Sequence, residues 1–317
     1  MLRSMYSGIS GMKNFQTKLD VIGNNIANVN TYGFKKGRTT FKDLMSQQVA
    51  GASGPSLTNS GVNPQQVGLG STLSTIDTIH TTGSLQTTGR TLDLALAGDG
   101  FFPVATIKNP GSVSLDAGTA FGNNRIAGNI NDAVDLNYTR AGNFYMDDKG
   151  YLVTAEGYYL IGETGTKTQG ANPQWTDTLS GQAGLIQVPL TAKSFSIGQD
   201  GKVTFVSENG NLQVAGQIRI ATFSNPGGLE KAGGNLFRES VNSGRIDQNN
   251  DGIQLSELLI PGSNGAATIA SGALEMSNVD LSEEFTDMIV AQRGFQSNTK
   301  IISTSDEILQ ELVNLKR

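Results

Sequence analysis

The stretch "DQNNDGIQLSE" is where this sequence comes nearest to a chemical pattern. It sets Asp247, Asn249 and Asp251 at alternate positions, followed by Gly252 and Ile253. Three oxygen ligands, a glycine turn and a backbone carbonyl at the seventh position make the first half of a calcium-binding EF-hand loop. The second half departs from it. The ninth position is Leu255 and the twelfth Leu258, with Glu257 one place early. Without a bidentate carboxylate at the twelfth place calcium is held weakly, and an Asx-rich turn is the competing reading. The candidate ligands are Asp247, Asn249, Asp251 and Ile253, for a weak Ca²⁺ site in a chain that otherwise calls for no cofactor.

Other chemistry is sparsely provided for. There is no cysteine and one histidine, His80, which excludes a Cys nucleophile, a disulfide framework and a Cys/His zinc site. His80 lies in "STIDTIHTTGSLQTTG", where threonine alternates with apolar residues, and reads as a strand residue. A Ser/His/Asp site would have to use it. "GLGSTLST" carries no lysine after its glycines, so no phosphate loop is present. Net charge is −5 with a pI near 5.0, and no basic run offers a footprint for nucleic acid. Two carboxylates about 5–9 Å apart would make a glycosidase, so a carbohydrate-active enzyme is a rival reading. A calcium-dependent extracellular binding module is another. No segment is apolar and long enough to span a membrane, and the N-terminus lacks the apolar core of a cleaved signal peptide.

The clearest periodicity lies at the two ends. Met5, Met12, Leu19 and Ile26 form one row at heptad spacing, with Phe15, Ile22 and Val29 three residues on. Gly8, Gly11 and Gly23 interrupt this helix at a cost of roughly 1 kcal/mol each, which makes sense where another backbone approaches closely. At the other end Leu281, Met288, Phe295, Ile302 and Leu309 fall at seven-residue steps, capped at Asn278 or Ser282. Phe285, Ile289, Ile301, Leu312 and Val313 widen parts of that stripe. Gln292, Thr299 and Asp306 occupy the second seam row and narrow it. The expectation is a coiled-coil-like pair of terminal helices whose polar gaps imply packing against other subunits. The candidate interface residues are Met5, Met12, Phe15, Leu19, Ile22, Ile26, Leu281, Met288, Phe295, Ile302 and Leu309.

Between the helices the pattern changes. Residues 45–66 are rich in Gly, Ser, Asn, Gln and Pro and read as a loop or extended arm. From about Leu73 short apolar runs alternate with turn signals at Gly98-Asp99-Gly100, Asp148-Lys149-Gly150, Glu156-Gly157 and Gln199-Asp200-Gly201. Stretches 107–134 and 163–184 break the rhythm as insertions. The fold class is α+β: a helical inner domain from 1–30 and 278–317, an arm over 31–72, and a mainly β domain over 73–277.

Several blocks resemble the flagellar axial family of rod and hook proteins. They are "LDVIGNNIANVNTYGFK", "DLALAGDGFF", "YTRAGNFYMDDKGYLVTAEGYYLIG" and "SGALEMSNVDLSEEFTDMIVAQRGFQSNTKIISTSDEILQELVNLKR". The resemblance implies a structural subunit, not an enzyme, whose terminal helices line a hollow tube. It also accounts for the polar end of the first helix. Asn25, Asn28 and Asn30 tolerate the left-handed conformation, Gly33 turns the chain outward, and Phe34 anchors the departing arm. Lys35 and Lys36 stay solvated or meet a neighbour's acidic residues. "MIVAQRGFQSN" and "ILQELVNLKR" look more like hook than rod sequences, as does the length, so a hook subunit is expected, with a distal rod subunit as the alternative. The implied partners are many copies of the chain, the rod and hook–filament junction proteins, the hook cap and the flagellar export apparatus. Neither nucleic acid nor membrane insertion belongs to this reading. The implied location is the flagellum, outside the cell, after export without a cleaved signal peptide.

Overall fold

A computed structural model describes residues 2–52, 54–55, 60–113, 124–126, 128–167, 175–244, 246 and 252–315. They fall into two compact units. One comprises Met1–Val29, Lys36–Ile79 and Val279–Arg317; the other comprises Asn30–Lys35 and His80–Asn278. The chain therefore passes between units at four points. The class is α+β, with a helix at each end and a mainly β central region.

The first unit holds helices α1 (Leu2–Ala27) and α2 (Leu281–Leu315) and strands β1 (Gly37–Asp43), β2 (Gln47–Ala50), β3 (Gln65–Val67) and β4 (Ser71–Thr78). The helices lie side by side and antiparallel. Lys18 pairs with Asp287 at 3.3 Å, and the Thr299 hydroxyl donates to the Met12 sulfur at 3.3 Å. The interior glycines do what their cost implied. A Cβ on Gly11 would lie 2.9 Å from the Asn298 amide, and one on Gly294 2.6 Å from the Phe15 ring. Gly23 has open space beside it and no such role. The α2 cap is Asp280, not Asn278 or Ser282; its carboxylate accepts from the Ser282 and Glu283 backbone N–H groups.

The stretch expected as an arm, 31–72, contains three strands, and the boundary drawn at 73 falls inside β4. Strand β1 pairs antiparallel with β4, and β2 with β3. Every residue of β2 and β3 is exposed.

The second unit is built on an eleven-stranded sheet in which every pairing is antiparallel. At its centre Leu212–Ile218, Tyr159–Lys167, Phe102–Ile107 and Val134–Thr139 lie in that order. Alternation along these strands separates two cores. Phe102, Val104 and Leu160 join one with Leu94, Phe144 and Ile269; Ala105, Ile161 and Tyr138 join the other with Tyr151 and Phe237. Hairpins turn where Asp148-Lys149-Gly150, Glu156-Gly157 and Gln199-Asp200-Gly201 signalled them. The second insertion contributes Trp175–Leu185, which runs back along Tyr159–Lys167. The strands either side of Gly98-Asp99-Gly100 do not pair with each other. Leu94–Ala97 pairs with Thr268–Ser271, and Phe102–Ile107 stays in the large sheet.

Gly142 marks a close approach in this unit. Its carbonyl accepts from the Leu94 N–H at 2.9 Å, and a methyl group there would overlap the Leu94 carbonyl. Gly142→Ala is expected to cost about 3 kcal/mol, read as a lower urea midpoint with an unchanged slope.

Candidate functional site

The surfaces available to a partner follow from how α1 and α2 share their faces. Ile22 is buried, and Met5, Met12, Phe15, Leu19, Ile26, Met288, Phe295, Ile302 and Leu309 are half-buried. Leu281 alone of the candidate interface set is exposed. Ala291 and Ser305, both buried, lie among the α2 seam residues. A second apolar set is left uncovered on α2: Val290, Ile301, Ile308 and Leu312, between 44 and 55% exposed. Their spacing of 11, 7 and 4 residues places them on one face of the helix, about 100° round from the seam at 100° per residue. Sequence periodicity had merged parts of this face with the seam, because both repeat near seven.

Where the chain enters and leaves the helical unit, side chains tie its segments together. Asn25 sits inside α1 with its amide nitrogen donating to the Gly37 carbonyl at 2.9 Å, while its amide oxygen accepts from the Gly37 N–H at 3.0 Å. The same nitrogen donates to Glu284 at 3.1 Å, and Lys36 donates to Glu283 at 2.7 Å. These residues, with Lys18 and Asp287, line a cavity of about 300 Å³. Burial pushes the Glu284 carboxyl above its ordinary value, against the opposing effects of Asn25 and Lys36. Asn25 thus acts by side-chain bonding, as does Asn28, whose amide donates to the Asn24 carbonyl at 2.9 Å. Neither Asn25, Asn28 nor Asn30 takes a positive φ; outside glycine, Asn124, Asn235 and Asn264 do so among the described residues.

The β unit gathers its own chain ends around a buried charge cluster. Lys35 donates to Glu275 at 2.6 Å, with both side chains fully buried. It donates also to the Thr81 carbonyl at 2.8 Å. The Glu275 carboxylate accepts the Gly83 N–H at 2.9 Å and faces Arg140 Nε at 3.3 Å. The Arg140 guanidinium donates to the carbonyls of Gly98 and Gly100. Lys35 is therefore neither solvated nor free for a neighbour, contrary to the expectation from sequence. Burial lowers both the Lys35 and Arg140 values, while Glu275 opposes that fall in each. Gly33 adopts φ +69°, where a Cβ would sit 2.7 Å from the Ala141 nitrogen, and its N–H donates to the Glu275 carbonyl at 2.9 Å. Phe34 packs beneath the Lys231 ammonium at 5.3 Å.

His80 lies two residues beyond β4 rather than within a strand. Its ring meets Phe101 and Phe237 edge-on at 5.6 and 5.5 Å. Of the calcium candidates, Asp247, Asn249 and Asp251 lie outside the described residues. Ile253 is buried, and its carbonyl accepts the Ile130 N–H at 3.0 Å.

Residues 5–35 match the family described as flagella basal body rod protein, and 129–205 the D1 domain of flagellar hook protein FlgE/F/G. Residues 270–315 match the C-terminal region of flagellar basal body rod FlgEFG proteins. Over 317 residues, and 100% of each chain, the sequence is 54% identical to the flagellar basal-body rod protein FlgG of Bacillus subtilis (strain 168). This chain belongs to the flagellar rod and hook protein family. It is 32% identical to the flagellar hook protein FlgE of Borreliella burgdorferi over 477 aligned positions, again 100% of each chain. FlgG of the same organism is 34% identical over 320 positions and 100% of each chain. As a member of the rod and hook family the protein is a structural component of the flagellum, not an enzyme. Length had been read as a hook feature, yet the rod relatives match at this length and the hook relative requires 477 positions.

The charge cluster makes an asymmetric prediction. Glu275→Gln leaves two buried cations without their carboxylate, with an expected loss of about 3–5 kcal/mol from the β unit. Lys35→Met leaves Glu275 with Arg140 and is expected to lose less. Urea unfolding of both variants compares the two losses, and equal losses would contradict the shared-carboxylate arrangement.

Proposed function

We propose that the protein is a distal rod subunit that polymerises into a hollow tube. The observation that carries this reading is the full-length 54% identity to a rod protein of the same length, where the hook comparison needs long insertions. Under this proposal α1 and α2 form a coiled-coil-like inner domain lining the tube. Met5, Met12, Phe15, Leu19, Ile22, Ile26, Met288, Phe295, Ile302 and Leu309 supply its intrachain seam. Val290, Ile301, Ile308 and Leu312, with Leu281, supply contacts to neighbouring copies. Support comes from the uncovered apolar face, which water disfavours and a helical polymer removes from water. The chain's partners are then copies of itself, adjoining rod and hook subunits and the export apparatus, which delivers it without a cleaved signal peptide.

A strain lacking the gene distinguishes rod from hook. Basal bodies whose rods stop short are expected, and complete rods lacking only the hook would favour the hook. The interface assignment is separable from folding because Ile301 and Ile308 lie outside the seam. The double variant Ile301→Asp with Ile308→Asp is expected to keep the monomer's circular dichroism while raising the concentration needed for polymerisation at least tenfold, read by sedimentation. Ordering coupled to assembly predicts weak amide protection across 5–26 and 281–309 in the monomer and strong protection in the polymer.

A further inference from the structure

His80 is the chain's one histidine, and neither role proposed for the helices uses it. Both its ring nitrogens are shut off from solvent without a well-formed hydrogen bond. Phe101 and Phe237 pack their rings against it. The charges that act on the ring come from separate elements of the β unit. Lys35 lies in the segment after α1, Arg140 follows strand Val134–Thr139, and Lys231 belongs to strand Glu230–Gly233. The carboxylates balancing Lys35 and Arg140 are Glu275 and Asp99. The neighbouring residue, Thr81, supplies the carbonyl that holds the Lys35 ammonium.

From this geometry we propose that His80 is an acid-operated latch: protonating its ring releases the Lys35–Glu275–Arg140 cluster and frees segments 30–35 and 80–83 while the large sheet stays closed. The neutral ring fits an aromatic cage, but a charged one adds a fourth cation to a site whose buried carboxylate, Glu275, already meets Lys35 and Arg140. A buried charge without a partner is costly, so the segment opens to let water reach it.

The direction with pH follows from linkage. Burial, with Lys35, Arg140 and Lys231, holds the imidazole down to about 4 from its ordinary 6.5, and the Pro226 backbone is the one group favouring its charged form. The opened form therefore binds the proton first. The latch is fully closed above about 6.5 and is progressively lost as the pH falls toward 4. Within that window each pH unit multiplies the open fraction by up to about tenfold.

Amide exchange on the full chain, corrected for the intrinsic rate at each pH, tests this. The probes are Gly33 and Gly83, whose N–H groups both bond Glu275. Val104 and Leu160, paired in the large sheet, serve as references. The expected result is protection at Gly33 and Gly83 that falls five- to tenfold from pH 6 to pH 5, with the references unchanged. His80→Phe and His80→Gln, which cannot titrate, are expected to abolish that dependence; either variant suffices if the other fails to fold. The latch is overturned if protection at the probes is constant with pH, if the references fall in parallel, or if a folded variant keeps the wild-type dependence. The last outcome would assign the effect to Glu275 or Asp99.

Discussion

One buried carboxylate, Glu275, sits between two buried cations and ties together the segments at which the chain enters and leaves the β unit. Removing three charges from water costs several kcal/mol per ion, and only close, well-aligned contacts offset it. Such a cluster tolerates little displacement. Lys35 lies at the end of the segment following α1, Thr81 and Gly83 follow β4, and Glu275 precedes α2. Segments far apart in a sequence of 317 residues thus meet at one carboxylate within the β unit. The backbone reinforces the same point, since Gly33 takes a conformation that a side chain would obstruct.

The helical unit is held by weaker means. Its ion pairs among the described residues, Lys18 with Asp287, Lys36 with Glu283 and Arg38 with Asp77, are partly or largely exposed, and such pairs contribute at most about 1 kcal/mol each. Its seam is narrow, with alanine and serine among the large side chains, and glycines bring the backbones near at the expense of helix propensity. The β unit is thus pinned by fully buried charges and the helical unit by partly exposed ones. The helical unit also presents apolar surface that its own chain does not cover.

A helix of 35 residues with one partner helix covers roughly one face. The seam and the Val290–Leu312 face are two stripes on one cylinder, and only the first is used within the chain. An uncovered stripe of that kind is a liability in an isolated protein and an adhesive in a polymer. Family membership, established over the whole chain, gives the second reading its context.

Much of the architecture was legible because it rests on local periodicity. Heptads at both ends, turn residues at the hairpins and glycines at close approaches reported elements that local chemistry determines. The sequence by itself therefore settled the α+β class, the family and the positions of both long helices. Tertiary structure alone decided how those elements are joined. No period links Lys35 to Arg140 and Glu275, and a lysine beside another lysine gives no sign that one is buried and the other partly exposed. Asn25 looked like a helix terminator and proved to be a staple, because its partners Gly37 and Glu284 meet it only after folding. The α2 stripes were merged for a similar reason. A repeat near seven specifies an angle on a helix, but which angle faces protein and which faces water is set by where the second helix lies.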